Sequence, residues 1–202
     1  MISSYYTIAE RSQAIYREKG SKFIAFLFPF VYKDEVKELL RQIKDEHPKA
    51  NHYCYAYRSA YDHTIFRAVD AGEPAYTAGK PILNALDSCN VRNVLAIVVR
   101  YFGGTLLGAQ GLIHAYNTVT LEALRAAIII NKEILAYFIL YIPLDQLHEI
   151  YDPLRKIKAD IMHTEVSLFQ AELKLSINVT AQESFTQLAL SRNLDYKLLE
   201  VK

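Results

Sequence analysis

The stretch DAGEPAYTAGKPILNALDSCNVRNVLAIVVRYFGGTLLGAQGLIHAY, residues 70–116, holds six of the chain's seven glycines. The 91 residues after Gly111 hold none. Glycine is favoured where the backbone needs positive φ or where another group must approach it closely. So dense a cluster reads as two tight loops packed on regular elements, and such loops often carry function. The intervening segments set the frame. Residues 77–89 read as a helix with the stripe Ile82, Leu83, Leu86 and Cys89, and Pro81 sits in its first turn. NVLAIVV (93–99) reads as a strand buried on both faces. Residues 110–127 read as a helix presenting Leu112, Tyr116, Val119 and Ala123.

Moving towards the N-terminus, SQAIYRE and KFIAFLFPF flank Lys19-Gly20-Ser21 and read as a hairpin over 12–31. Residues 34–46 read as a helix capped by Asp34, with Val36, Leu39, Leu40 and Ile43 on one face and Pro48 stopping it. In HYCYAYRS (52–59), Tyr53, Tyr55 and Tyr57 alternate with His52, Cys54, Ala56 and Arg58, as a strand requires. HTIFRAVD (63–70) is its partner strand, with a turn at Ala60-Tyr61-Asp62. The tyrosine stripe suits either a stacking platform for bases or a core face; Phe23, Phe26, Phe28 and Phe30 read as core.

Towards the C-terminus, Asn131-Lys132-Glu133 reads as a polar break. Beyond it come strand (LAYFILYIPL), helix (145–157), strand (DIMHTEVSLF), strand (ELKLSINVT), helix (182–192) and strand (YKLLEV). This β-α-β-β-α-β order is the ferredoxin-like arrangement. The fold class is therefore α+β, with two domains, 1–131 and 132–202.

Composition narrows the function classes. Of 202 residues, 51% are hydrophobic and 22% charged, and the net charge is +1. No global basic field advertises nucleic-acid binding. Residues 1–131 carry 15 Lys and Arg against 12 Asp and Glu, and residues 132–202 carry 8 against 10. Two cysteines, Cys54 and Cys89, argue against a disulfide scaffold and for a reduced cytoplasmic setting. The N-terminus shows no signal pattern, and VLAIVV (94–99) is too short to span a bilayer. No membrane partner is expected.

The first glycine loop, 71–81, precedes a helix whose early N–H groups, at Thr77, Ala78, Gly79 and Lys80, suit a phosphate or carboxylate. Equally, Thr77 caps that helix, Gly79 makes a turn and Lys80 is solvated. The second loop, with Gly103, Gly104 and Gly108, follows strand with helix as nucleotide-binding loops do. Its spacing GG-x-x-x-G-x-x-G matches neither phosphate fingerprint. Arg100 ends the buried strand. It meets an anionic ligand there or pairs with Asp70 or Glu73. Asp70 and Glu73 are the carboxylate pair suited to acid–base work or to capping. His52 and Cys54 share a strand face, but zinc needs more ligands than these two, so no metal is assigned. No catalytic residue and no cofactor are assigned.

DAGEPAYTAGKPIL (70–83) and VVRYFGGTLLGAQGLIHAY (98–116) closely resemble the two signatures of the YigZ/IMPACT family. KGSKFIAF (19–26) and NHYCYAYR (51–58) resemble its earlier pattern. Asp70, Gly72, Glu73, Pro74, Thr77, Ala78, Gly79 and Pro81 fit the first signature; Arg100 to Gly104, Leu107, Gly108, Gly111, Leu112, Ala115 and Tyr116 fit the second. The chain departs from it at Val99, Leu106, Gln110 and His114, where the family favours Thr, Lys, Gly and Arg. Gln110 makes a positive φ costly at that position.

The resemblance implies an N-terminal domain like the second domain of a small-subunit ribosomal protein, a sheet with helices on one face. It implies a C-terminal ferredoxin-like domain resembling domain V of elongation factor G. It also implies a translation-linked regulatory protein that binds RNA or the ribosome. Arg58, Arg67, Lys80, Arg92 and Arg100 would supply the basic face. The alternative is an enzyme or binding protein for a small phosphate or carboxylate held between the two loops by Asp70, Glu73, Thr77, Gly79, Lys80, Arg100, Gly103, Gly104 and Gly108. Both expectations require the loops to meet in space, with Arg100 near Asp70 or Glu73.

Overall fold

The computed structural model describes residues 3–30, 35–58 and 65–201. The expected Asp34 cap and the turn at 60–62 lie outside these residues. The elements in chain order are β1 (Ser4–Ile8), β2 (Ser12–Glu18), β3 (Ser21–Pro29), α1 (Glu35–Glu46), β4 (His52–Arg58), β5 (Phe66–Val69), α2 (Gly79–Ser88), β6 (Val94–Tyr101), α3 (Gly108–Ala126), β7 (Ile129–Glu133), β8 (Leu135–Pro143), α4 (Leu147–Lys156), β9 (Asp160–Val166), β10 (Gln170–Asn178), α5 (Gln182–Ser191) and β11 (Asp195–Val201). The chain divides into two units, Tyr6–Lys132 and Glu133–Lys202 with Met1–Tyr5. The result is a mixed α/β molecule built on antiparallel sheets.

In the larger unit five strands run β2-β3-β6-β4-β5. β6 lies antiparallel to β3 and β4 and is buried from Val94 to Arg100. Its side chains alternate between two cores. Val94, Ala96 and Val98 face α2 and α3 with Phe23, Cys54, Ile82, Leu86, Tyr116 and Val119. Leu95, Ile97 and Val99 face the stripe of α1, with Phe26, Phe28, Phe30, Val36, Ile43 and Tyr57. Helices therefore cover both faces of the sheet, not one, because the phenylalanines of β3 and the tyrosines of β4 need a cover of their own. The tyrosine stripe is core: Tyr57 is buried, and Tyr53 and Tyr55 pack against the same cluster.

In the smaller unit the strand order is β11-β8-β10-β9, all pairs antiparallel. Ala136, Phe138, Leu140 and Ile142 of β8 and Leu173, Leu175 and Ile177 of β10 face Ile150 and Leu154 of α4 and Phe185 of α5. The β9 strand ends at Val166 rather than continuing to 169, because the Ser167 hydroxyl takes part in a turn with Gln170. Asn131-Lys132-Glu133 is not a break but the end of β7, which pairs with β1. Its polarity reflects an exposed strand. Among the described residues no helix is long and apolar enough to cross a membrane.

Candidate functional site

Asp70 closes β5 and organises the loop that follows. Ala71 and Tyr76 hold positive φ of 46° and 65°, and Gly72 holds 89°. These turns bring the backbone back over the Asp70 carboxylate. Oδ2 accepts from Tyr76 N at 2.9 Å, and Oδ1 accepts from Ala78 N and Gly79 N, each at 2.9 Å. Asp70 thus caps α2 from nine residues upstream and fills the anion position at its start. Thr77, expected as the cap, turns its hydroxyl back to Pro74 O at 2.7 Å. Gly79 has no room for a side chain: a Cβ there would lie 2.3 Å from Val69 N. Lys80 is exposed.

The second loop is anchored from outside itself. Phe102 N donates to Asn51 Oδ1 at 2.8 Å, and Gly103 N donates to Ser21 Oγ at 3.2 Å. Gly103 packs on the β2–β3 turn so closely that a Cβ would lie 1.9 Å from Gly20 C. Gly104 and Gly108 hold positive φ, and nothing lies within 4 Å of where a Cβ would sit. α3 begins at Gly108, so Gln110 is already helical and needs no positive φ. Leu106 is exposed, and the His114 ring lies edge-on to Tyr16 at 6.1 Å between centroids.

Between the two loops lies a buried polar network. The β-sheet register pairs Arg100 with His52 on one side and Phe23 on the other, so all three share the α3 face. Arg100 Nη1 donates to Glu73 Oε1 at 2.8 Å and to Oε2 at 3.0 Å. The side chains are only 6% and 3% exposed, so this pair is desolvated. The Tyr116 hydroxyl donates to Glu73 Oε1 at 2.7 Å, and Arg100 Nη2 lies 3.4 Å from Ser21 Oγ. Arg100 Nε is buried and has no acceptor among the described residues. Phe23 and Phe102 lie against the guanidinium at 5.4 and 5.5 Å. Cys54 Sγ sits 2.9 Å from Asp70 O and 3.3 Å from the Tyr116 hydroxyl. Burial pushes the Cys54 thiol up to about 12, and burial, then Cys54 and Glu73, raise the Tyr116 hydroxyl. His52 Nδ1 contacts Ala71 O at 3.1 Å, and Nε2 lies 3.9 Å from Glu73 Oε1.

The loops therefore meet, with Arg100 on Glu73. Above the pair opens a cleft of about 420 Å³ lined by Asn51, His52, Glu73, Pro74, Arg100, Phe102, Leu106, Leu107, Gly108, Ala109 and Leu112. Thr77, Gly79 and Lys80 belong to the capped helix start and do not line it. Ser21, Asn51, Cys54 and Tyr116 belong to the site, yet sequence reasoning did not assign them. The KGSKF and NHYC segments were the signal for three of them.

The expected basic face does not gather. Tyr57 pairs with Arg67 and Arg58 pairs with Phe66, so Arg58 and Arg67 point to opposite faces of the sheet. Arg58 is bidentate on Asp87 (2.8 and 2.9 Å), and Arg92 joins it at 3.5 Å. Arg100 is buried under Glu73. No group of three or more His, Cys, Asp or Glu able to hold a metal occurs among the described residues.

Residues 19–124 match the Impact N-terminal domain. The chain is similar to IMPACT family member YvyE of Bacillus subtilis (strain 168), at 36% identity over 67% of this chain and 62% of that protein; it thus spans less than two thirds of that relative. It is similar to IMPACT family member YigZ of Escherichia coli (strain K12), at 35% identity over 75% of each chain. A solved structure described as the crystal structure of an hypothetical protein superposes with a TM-score of 0.73 at 30% identity, over 99% of both chains. Both glycine loops that build the cleft lie within the matched residues, and the chain belongs to the IMPACT family.

Proposed function

We propose that this IMPACT-family protein is a translation-linked regulatory protein that binds RNA or the ribosome, with the cleft between the glycine loops as its contact. The observation that carries this reading is the charge balance of the cleft. Its one guanidinium is neutralised by Glu73, and the nearby helix start is filled by Asp70. What remains is the exposed aromatic face of Phe102 and the exposed Leu106 beside a few polar groups. Such a wall suits a flat, unstacked base. The same balance counts against a free phosphate or carboxylate, which would find no uncompensated cation there.

Backbone contacts would come from the rim. Lys19, in the turn that packs on Gly103, and Lys80, at the start of α2, are both exposed and would supply cations for a phosphate backbone. We read the smaller unit as ferredoxin-like, from its β-α-β-β-α-β order and its strand order, and as the counterpart of elongation factor G domain V. The larger unit we read as the counterpart of the second domain of a small-subunit ribosomal protein, with one helix added on the second face. A cytoplasmic setting follows from this reading. Ribosome co-sedimentation and single-stranded RNA titration at about 50 and 200 mM salt test it. Wild type is expected to bind in a salt-dependent manner, and Leu106→Ser with Lys80→Ala to bind more weakly. Absence of binding to both ribosomes and RNA at the lower salt contradicts the proposal.

A further inference from the structure

Resting on the reading of the cleft as a base-binding site, we infer that the base it selects is guanine. The argument is one of donors and acceptors. Ala71 O can only accept, so His52 Nδ1, 3.1 Å away, carries the proton of that contact. In the neutral ring Nε2 is then left as an acceptor. Glu73 Oε1 already takes Arg100 Nη1 and the Tyr116 hydroxyl, while Oε2 takes only the longer contact from the same Nη1. Oε2 therefore retains acceptor capacity. Asn51 spends its Oδ1 on Phe102 N, which leaves the amide NH2 as a donor.

With His52 Nε2 3.9 Å from the Glu73 carboxylate, these three side chains offer two neighbouring acceptors and one donor, beside the buried Arg100 Nε, unpaired among the described residues. The Watson–Crick edge of guanine carries N1–H and N2–H as adjacent donors and O6 as an acceptor. Adenine and cytosine each offer one donor group on that edge, and uracil sets one donor between two acceptors. Only guanine fills both Glu73 Oε2 and His52 Nε2 and still accepts from Asn51. Phe102 and Leu106, both exposed on the wall, cover its ring. The volume of about 420 Å³ lies within the range of small-ligand sites. The guanine comes either from a free nucleotide or from an unpaired position in RNA, and the test separates the two.

The experiment titrates the full chain with GMP, IMP, AMP and CMP by calorimetry, and with two single-stranded RNAs that differ only in one unpaired guanine. GMP is expected to bind tighter than IMP, which lacks the N2 amino group, and tighter than AMP, by on the order of tenfold. Asn51→Asp keeps the acceptor for Phe102 N but replaces the donating amide. It is expected to lose that preference while the loop stays in place. Glu73→Gln should lose it too, and Asn51→Asp carries the test if that variant fails to fold. Equal binding of all four nucleotides, or an unchanged preference in Asn51→Asp, overturns the inference. RNA binding that ignores the unpaired guanine also overturns it, yet leaves the RNA reading standing. Selective GMP binding without RNA binding upholds the guanine site and overturns the RNA reading.

Discussion

Arg100, the last buried residue of β6, is held 2.8 Å from Glu73 of the preceding glycine loop, and the two side chains are almost wholly shielded from water. This contact fastens the two loops together and sets the floor of the cleft. It also removes the charge a small anion would need. Stability and ligand choice therefore trace to one pair.

Breaking the pair from one side is expected to be costly. Glu73→Leu or Arg100→Met alone should lower the unfolding free energy by about 3–5 kcal/mol, because each leaves a buried charge uncompensated. The double variant should lose much less than the sum. Urea denaturation of the four proteins reads the coupling.

The two adjacent glycines of the second loop should behave differently. Gly103→Ala drives a methyl into the Gly20 backbone, where a Cβ would lie 1.9 Å from carbon, and the turn must shift. Gly104→Ala meets open space and bears only the positive φ of 85°, a cost of about 1–2 kcal/mol. Thermal melts should rank Gly103→Ala well below Gly104→Ala. Equal melting temperatures would remove the close approach from the account.

The cap of α2 should answer to Asp70 and not to Thr77. Asp70→Ala leaves three backbone N–H groups without their acceptor and should cost about 2 kcal/mol, the upper end for a cap. Thr77→Val, which removes one hydroxyl contact, should cost about 1 kcal/mol. Chemical denaturation distinguishes them.

The buried thiol sets a test in alkali. Folded Cys54 keeps its proton to about 12, whereas an ordinary thiol releases it near 9.0. Between those values the unfolded chain binds fewer protons, so stability should fall as pH rises through that window. Cys54→Ala should flatten part of that fall. At pH 8 the folded protein should titrate one thiol, the exposed Cys89, and the denatured protein two.

Much of this was legible in the sequence. Glycine density located both loops, and the apolar run of 93–99 gave the central strand. The Arg100–Glu73 pair was one of two readings that the strand end allowed. What local reasoning missed depends on residues far apart in the chain. Asp70 caps a helix starting nine residues later because Ala71, Gly72 and Tyr76 fold the loop back, and no cap rule looks that far. Ser21 and Asn51 reach the second loop only through sheet pairing. Arg58 and Arg67 look like one basic patch in a list of charges, but strand register sends them to opposite faces.

The central claim, that the cleft between the glycine loops contacts RNA, is tested most directly by photo-crosslinking. Single-stranded RNA carrying a photoreactive base is irradiated with the protein, and the crosslinked peptides are mapped by mass spectrometry. Crosslinks on the peptides bearing His52, Phe102 and Leu106, reduced in Leu106→Ser, are the expected result. Crosslinks confined to residues 133–201, or spread evenly over the surface, would contradict the account.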